Sequence, residues 1–436
     1  MKDIDGMVKP ASRVRELFFY IALFGSVGFF GWGIRGTGGY GAIPGCVFAG
    51  IAWAMAWFLV SQVPVGAPTR RYSSGWVVLA IMVGIGIEGA HGWMQWPAWV
   101  RGVFYLNISA GTSLPINPAY GYLWTFIAAV PWAGMGAVLL AWTASQQPIT
   151  PKLWVIRIAC GVGGGVIASL LFKGLPQVFL PYYDLTNGYD PSVCVACSRV
   201  ASDNAIALMW LGVYCGFLAF ECGRKDWMNV KLIAIVGLLA GLTWMVFRVW
   251  NIYMPNCWRC WETCSGLGIG IALGVAFYVC NKPLCLPQPA VDDCVQAGRA
   301  PNPQRLAGFY LALVVGVFWS INGMIIGIAE NDFSISGSLD LPVGLTCGIA
   351  GIGTFLYIYW REKDIRAPKP DLAQSWRIYW VAFAVQLACG LMVTTPLGTW
   401  YNDDFFAIYI ALAVLDVVLL WSWKTRQKPI DRLNGD

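Results

Sequence analysis

The sequence predicts an all-α fold, a polytopic transmembrane helix bundle of about twelve spans with its N- and C-termini cytoplasmic. Three observations predict it. First, 58% of the 436 residues are hydrophobic and only 12% are charged, about half the charge of a typical soluble domain. A larger core cannot absorb that deficit, because a soluble body must still cover its surface. Second, apolar runs of about 20 residues, the length that crosses a bilayer core, recur along the whole chain. Third, the basic residues are sorted by side once those runs are counted.

The spans fall near 14–34, 41–62, 75–89, 120–143, 154–172, 204–220, 230–250, 262–280, 306–329, 341–360, 377–395 and 405–424, and the chain, 1–436, reads as a single integral membrane domain. The first follows a basic stretch that ends at Arg15 and closes at Gly31-Trp32-Gly33-Ile34-Arg35 without a small-x-small cleavage site, which reads as an uncleaved signal anchor. A Gly-rich turn, Gly36-Thr37-Gly38-Gly39-Tyr40, leads into the second. Pro44 at the start of the second span and Pro131 in the middle of the fourth mark both as candidates for broken or gated helices. The third and sixth are short. The longest loops are 90–119 and 173–203 on the outer side and 281–305 on the inner side, the last interrupted by Pro287, Pro289, Pro301 and Pro303.

With this count, 23 of the 29 Lys and Arg lie on the side of the termini. The outer side holds only Arg35, Arg101, Lys173, Arg199, Arg248 and Arg259. The formal charge of +6 is therefore a topology signal, not a nucleic-acid footprint. It places the protein in a membrane such as the bacterial cytoplasmic (inner) membrane, with the lipid bilayer as its constant partner and no nucleic acid. The long central loop and the charged loop motif of major-facilitator transporters are both missing. No phosphate loop, dinucleotide fingerprint or metalloprotease helix motif occurs, and the sequence calls for no cofactor and no metal. Oligomeric state is not legible.

Charges within membrane spans are costly and concentrate where function or pairing requires them. The cytoplasmic halves of the spans look almost free of them, with Asp416 the main exception, whereas the outer ends are rich. Arg35, Glu88, His91, Arg248, Glu262 and Glu330 are the candidate substrate-binding residues, converging on one outward-facing polar cavity. Arg35 sits in a glycine cradle just before the N-terminus of the second span, a combination of guanidinium, free amides and positive helix end that suits a carboxylate or phosphate. The competing reading is that Arg35 only snorkels or pairs with Glu88 or Glu262 to close the bundle. Glu88 and His91, at i and i+3, place a carboxylate and the single imidazole on one helical face, suited to proton transfer or to a structural hydrogen bond. One His cannot build a common catalytic zinc site.

Trp93, Trp96 and Trp99 form an aromatic stripe on a short interfacial helix, and Trp124, Trp250, Trp258, Trp261 and Trp400 fall near the same face. An aromatic belt at headgroup level is the leading explanation, and stacking on a sugar ring is the alternative. Each of two outer loops carries a Cys-x-x-Cys, Cys194/Cys197 and Cys257/Cys260, with Cys264 nearby. In an oxidising compartment these predict disulfides stapling the two loops together, with a four-thiolate structural zinc as the alternative. Glu330-Asn331-Asp332 reads as a solvated acidic loop.

Three functions are compatible with this pattern. A transporter of a small polar or anionic solute comes first, with a small anionic or sugar-like ligand. A membrane enzyme of glycosyl or acyl transferase type, acting at the outer face on a lipid-linked substrate, is second, although the first outer loop is too short for the known multi-span glycosyltransferase pattern. A structural or assembly subunit of a membrane complex is third.

Overall fold

The computed structural model describes residues 10–37, 42–62, 70–87, 95–145, 148–255, 257–282, 307–333, 335, 339–361, 404–433 and the isolated positions Trp380, Ala384 and Ala388. Ten of its helices are long and apolar enough to cross a membrane. These lie in α1 (Pro10–Thr37), α2 (Ala42–Ser61), α5 (Ala119–Trp142), α6 (Pro151–Gly174), α8 (Cys197–Gly223), α9 (Trp227–Phe247, continued by α10, Val249–Tyr253), α11 (Trp258–Cys280), α12 (Ala307–Phe333), α13 (Asp340–Arg361) and α14 (Asp404–Leu433). The third expected span appears as α3 (Trp76–Gly86), eleven residues long, and the short helices α4 (Trp96–Trp99) and α7 (Pro176–Phe179) lie between the long ones. Residues 88–94, which follow α3, lie outside the described residues. The expected span at 377–395 lies outside the described residues, apart from the isolated positions.

The sixth span is longer than expected. Alpha8 begins at Cys197, so its first two turns carry Ser198, Arg199, Ser202 and Asp203, polar residues that hid the helix from a hydropathy reading. The expected break at Pro131 is also corrected. Alpha5 runs unbroken through Pro131, and Pro44 occupies the first turn of α2, where its missing N–H is harmless.

Helices without an aqueous drive to associate pack where small residues let backbones approach. The most extensive helix contact joins α1 to α11. A Cβ added to Gly28 would fall on the Gly266 carbonyl oxygen, and one added to Gly266 on that of Gly28. Gly270 meets the Phe24 carbonyl in the same way one turn on. Alpha6 and α8 use the same device at Gly164 and Gly212. The buried core lies chiefly in α1, α2, α3, α5, α9 and α11. In contrast, α6 and α13 show many exposed apolar side chains, among them Val155, Ile167, Leu170, Leu345, Ile349 and Ile352, as lipid-facing helices must.

Above one end of the bundle sits a small cap that the all-helical reading did not foresee. Strands β1 (Val103–Asn107) and β2 (Thr112–Pro115) form an antiparallel hairpin with a register shift between Tyr105 and Asn107. Gly111 takes the positive φ of +67° at its turn. Gln95 donates to the Tyr105 carbonyl at 3.0 Å, Ala196 N–H to the Leu106 carbonyl at 3.0 Å, and the Tyr182 hydroxyl to the Pro115 carbonyl. Pro115, Ile116, Asn117, Tyr120, Pro181 and Tyr182 line a cleft of about 330 Å³ beside it.

Candidate functional site

Two buried polar clusters occupy opposite ends of the bundle, and they differ in construction. At the end holding the start of α1, the cluster ties chain turns together. Arg157 of α6 meets Glu221 of α8 at 2.6 Å, and Arg71 meets Asp226 at 3.6 Å. Asn229 of α9 links these pairs, donating to Glu221 Oε2 at 3.2 Å, to Asp226 Oδ2 at 3.3 Å and to the Ala141 carbonyl at 3.2 Å. Its own amide oxygen accepts from the Tyr72 hydroxyl at 2.6 Å. Asn281, just past α11, accepts from Tyr72 N–H at 2.9 Å and donates to Ser61 Oγ at 2.9 Å. Burial pushes the Tyr72 phenol above its ordinary range, so it remains a donor throughout the physiological pH range. This end was expected to be nearly free of intramembrane charge, and Arg157 and Glu221, at 0% and 1% exposure, correct that expectation. The signal in the sequence was weak: a single Arg early in one span and a single Glu late in another, with nothing to say that they meet.

At the opposite end, Arg35 of α1, Arg248 after α9 and Glu262 of α11 come together, all buried. One Arg35 terminal nitrogen, Nη1, straddles both Glu262 oxygens at 3.3 Å. That is an end-on contact longer than the roughly 2.7–2.9 Å of a strong guanidinium–carboxylate bond. Among the described residues Arg35 Nε has no hydrogen-bond partner, as is also true of Nε and Nη1 of Arg157 in the other cluster. Cys46, near the N-terminus of α2, lies beside the same guanidinium. Trp258 donates to Glu262 Oε1 at 3.0 Å. Arg248 donates from Nε to Thr125 Oγ1 at 2.8 Å and from Nη1 to Asn251 Oδ1 at 3.1 Å, and its guanidinium lies 3.9 Å over the Trp261 ring.

Tryptophans wall this group. Trp32, Trp53, Trp132, Trp244 and Trp261 are each fully buried. Trp32 touches Trp53, Trp132 and Trp244 with ring centroids 6.0, 5.7 and 5.5 Å away, and Trp244 touches Trp261 at 5.6 Å. The Arg35 guanidinium lies 4.7 Å from the Trp32 ring and 5.3 Å from Trp132, positions that favour a cation over the ring face.

Of the candidate substrate-binding residues, Arg35, Arg248 and Glu262 meet here. Among the described residues they form a buried, tryptophan-lined box. Glu330 lies in α12, near its C-terminal end, and its side chain is not described. Glu88 and His91 fall outside the described residues, as do Trp93 and Trp400. The headgroup belt is corrected for several tryptophans. Trp96, Trp99, Trp124 and Trp261 are 2% exposed or less. Trp96 stacks on Trp124 with centroids 6.1 Å apart and donates to Asn204 Oδ1 at 2.8 Å. Sequence reading missed the roles of Trp53, Trp132 and Trp244, which sit within spans where an aromatic passes for ordinary core, and of Trp32, which it read only as part of the glycine-rich end of the first span.

The cysteines are also rearranged. Cys194 and Cys197 are bonded to each other, so they do not staple the two outer loops. The four-thiolate zinc alternative falls with that bond. Cys257 and Cys260 face each other with sulfurs 2.7 Å apart, at the start of α11. Among the described residues no group of three or more His, Cys, Asp or Glu is placed to hold a metal ion. In the loop before Cys194, Asp184 accepts N–H bonds from Thr186 at 2.6 Å and Asn187 at 3.0 Å, which hold its carboxyl below the usual range.

Comparisons with protein-family models, with curated proteins and with solved structures find no match for this chain. The protein is a multi-pass membrane protein by its apolar helices, and its function rests on the chemistry of the site.

Proposed function

We propose that the protein is a transporter of a small polar or anionic solute, and that the tryptophan-walled group of Arg35, Arg248 and Glu262 binds it. The observation that carries this reading is the contrast between the two buried ion pairs. Arg157–Glu221 is short, at 2.6 Å, and belongs to a network holding two cations and two acids. Arg35–Glu262 is long, at 3.3 Å, and the second guanidinium, Arg248, is held by Thr125, Asn251 and the Trp261 ring. A pair built only to close a bundle gains most from short bonds, since desolvation opposes it. A pair built to exchange partners is better loose. An incoming carboxylate or phosphate replaces Glu262 as the partner of Arg35, using the Nε donor that is unused in the closed box.

Tryptophan faces suit this role. They exclude water, which strengthens each charge contact, and they hold a cation in place without neutralising it. The same rings accept the apolar body of an organic anion. The box closes near the ends of α1, α9 and α11, so access opens by separating helix ends and not by breaking a helix in mid-span.

The test is uptake by the purified full-length chain in proteoliposomes. The solutes are radiolabelled inorganic phosphate, short mono- and dicarboxylates and zwitterionic amino acids. One of these enters saturably, Arg35→Ala abolishes its entry, and Arg35→Lys, which keeps the charge but loses the planar fork, slows it severely. Binding of a solute without any flux across the panel would overturn the transport reading while leaving a binding site.

A further inference from the structure

We infer that Asp416 is a proton-binding site at the centre of the membrane, and that its proton exchanges with water during the working cycle. The inference deepens the transport reading and rests on it for the word cycle. Asp416 is the tenth residue of a 19-residue span, Ala407–Thr425, so nine residues separate it from either end, and Lys424, next to the last, is the one charged residue among them. It is 0% exposed. Neither of its carboxyl oxygens has a hydrogen-bond partner among the described residues.

The surroundings exclude a hidden counter-charge among the described residues. Asp416 shares its helix face with Tyr409, Ala413 and Leu420, all buried, while Val414, Leu415, Val418 and Trp421 are exposed on the lipid side. The face packs chiefly on α1 and touches α2 at the margin. The charged groups of α1 are confined to its ends: Arg13, Arg15 and Glu16 at one, and Arg35, engaged with Glu262, at the other. Tyr20 donates to Glu16 at 3.3 Å. Alpha2 has no charged residue, and Cys46 is its one titratable group. On α14 itself the nearest titratable groups are Tyr409, two turns before Asp416, and Lys424, just over two turns after it. The sequence 378–395 contains no charged residue.

A carboxylate cannot stand ionised at the centre of a bilayer without a cation, a set of donors or water. In this closed arrangement Asp416 therefore carries its proton. The step is a simple one: a hydronium ion from either aqueous side delivers a proton to the carboxylate, which becomes a neutral carboxyl, and water carries the proton away when the helix face opens. Alpha14 is placed to link this event to the box. The Tyr409 hydroxyl lies 3.4 Å from Thr263 Oγ1, next in sequence to Glu262, and Gly33, two residues before Arg35, leaves room for the Tyr409 ring. An anion entering the box and a proton entering at Asp416 are complementary loads on one helix face.

Infrared difference spectroscopy of the full chain in lipid nanodiscs tests this. At neutral pH the wild type shows the carbonyl stretch of a protonated carboxyl. That band is missing from Asp416→Asn, displaced in Asp416→Glu, and shifted in heavy water. A wild type lacking a band assignable to Asp416, or a band that does not move in heavy water, overturns the inference, the first because the group is ionised and the second because its proton is locked in. In proteoliposomes, Asp416→Asn retains exchange of whichever labelled solute the wild type carries but loses accumulation driven by an acid exterior. Unchanged acid-driven accumulation in Asp416→Asn would overturn the coupling. Failure of the wild type to move any solute would sink the transport reading, and the infrared result would still decide the proton site.

Discussion

At the scale of single residues, the molecule separates buried charge that fastens from buried charge that waits. Glu221 takes Arg157 at 2.6 Å and Asn229 at 3.2 Å, and every member of that cluster touches a chain turn. Removing one partner of such a pair strands the other, at a cost of about 3–5 kcal/mol. Glu221→Ala should therefore lower the thermal unfolding midpoint in detergent sharply, whereas Glu262→Gln, which loosens an already long 3.3 Å contact, should lower it much less. Equal losses for the two variants would mean that both pairs are fasteners. Arg35, Arg248 and Glu262 were legible as suspects because charge is rare in these spans. That they share a tryptophan box was not legible, since Trp32, Trp132 and Trp244 come from three helices distant in sequence.

At the scale of elements, hydropathy located the long helices well but said little about how they touch. Gly28 and Gly266 are adequate helix residues with no mark in the sequence to pair them, yet each occupies the space a Cβ on the other would need. Gly266→Leu should force α1 from α11, because no side chain can yield where the obstacle is a backbone carbonyl. The expected outcome is loss of the cooperative unfolding transition and of monodisperse protein on size exclusion. Gly163→Leu, at a position with open space around it, should behave as wild type. A tolerant Gly266→Leu would contradict the packing described. The β-hairpin of the cap was invisible for a different reason. Its strands are five and four residues long, with a broken register, so no alternation builds up, and its order depends on loop partners such as Ala196 and Tyr182.

At the scale of the whole molecule, the charge sorting that gave the span count also set an expectation of polar groups at one end only. The structure places buried polar clusters at both. A sorting rule reads exposed loops, where lysine and arginine respond to membrane topology. It is blind to an Arg and a Glu placed just inside two neighbouring spans, such as Arg157 and Glu221, which satisfy each other out of contact with water. The division of labour then follows: a fastened end near the start of α1, a looser box at the other, and between them a lipid-exposed helix, α14, carrying a central carboxyl.

The central claim is that the box around Arg35 receives an anion, and tryptophan fluorescence tests it directly, because five buried indoles report on any change there. Titration of the purified full-length protein with phosphate and short carboxylates should give a saturable change for one of them. Loss of charge-assisted hydrogen bonds, at about 1.5–3 kcal/mol, should weaken it roughly ten- to hundredfold in Arg35→Ala, while exposed Lys173→Ala leaves it unchanged. Saturation with the same affinity in Arg35→Ala, or no saturable change in the wild type with any of these anions, would contradict the claim.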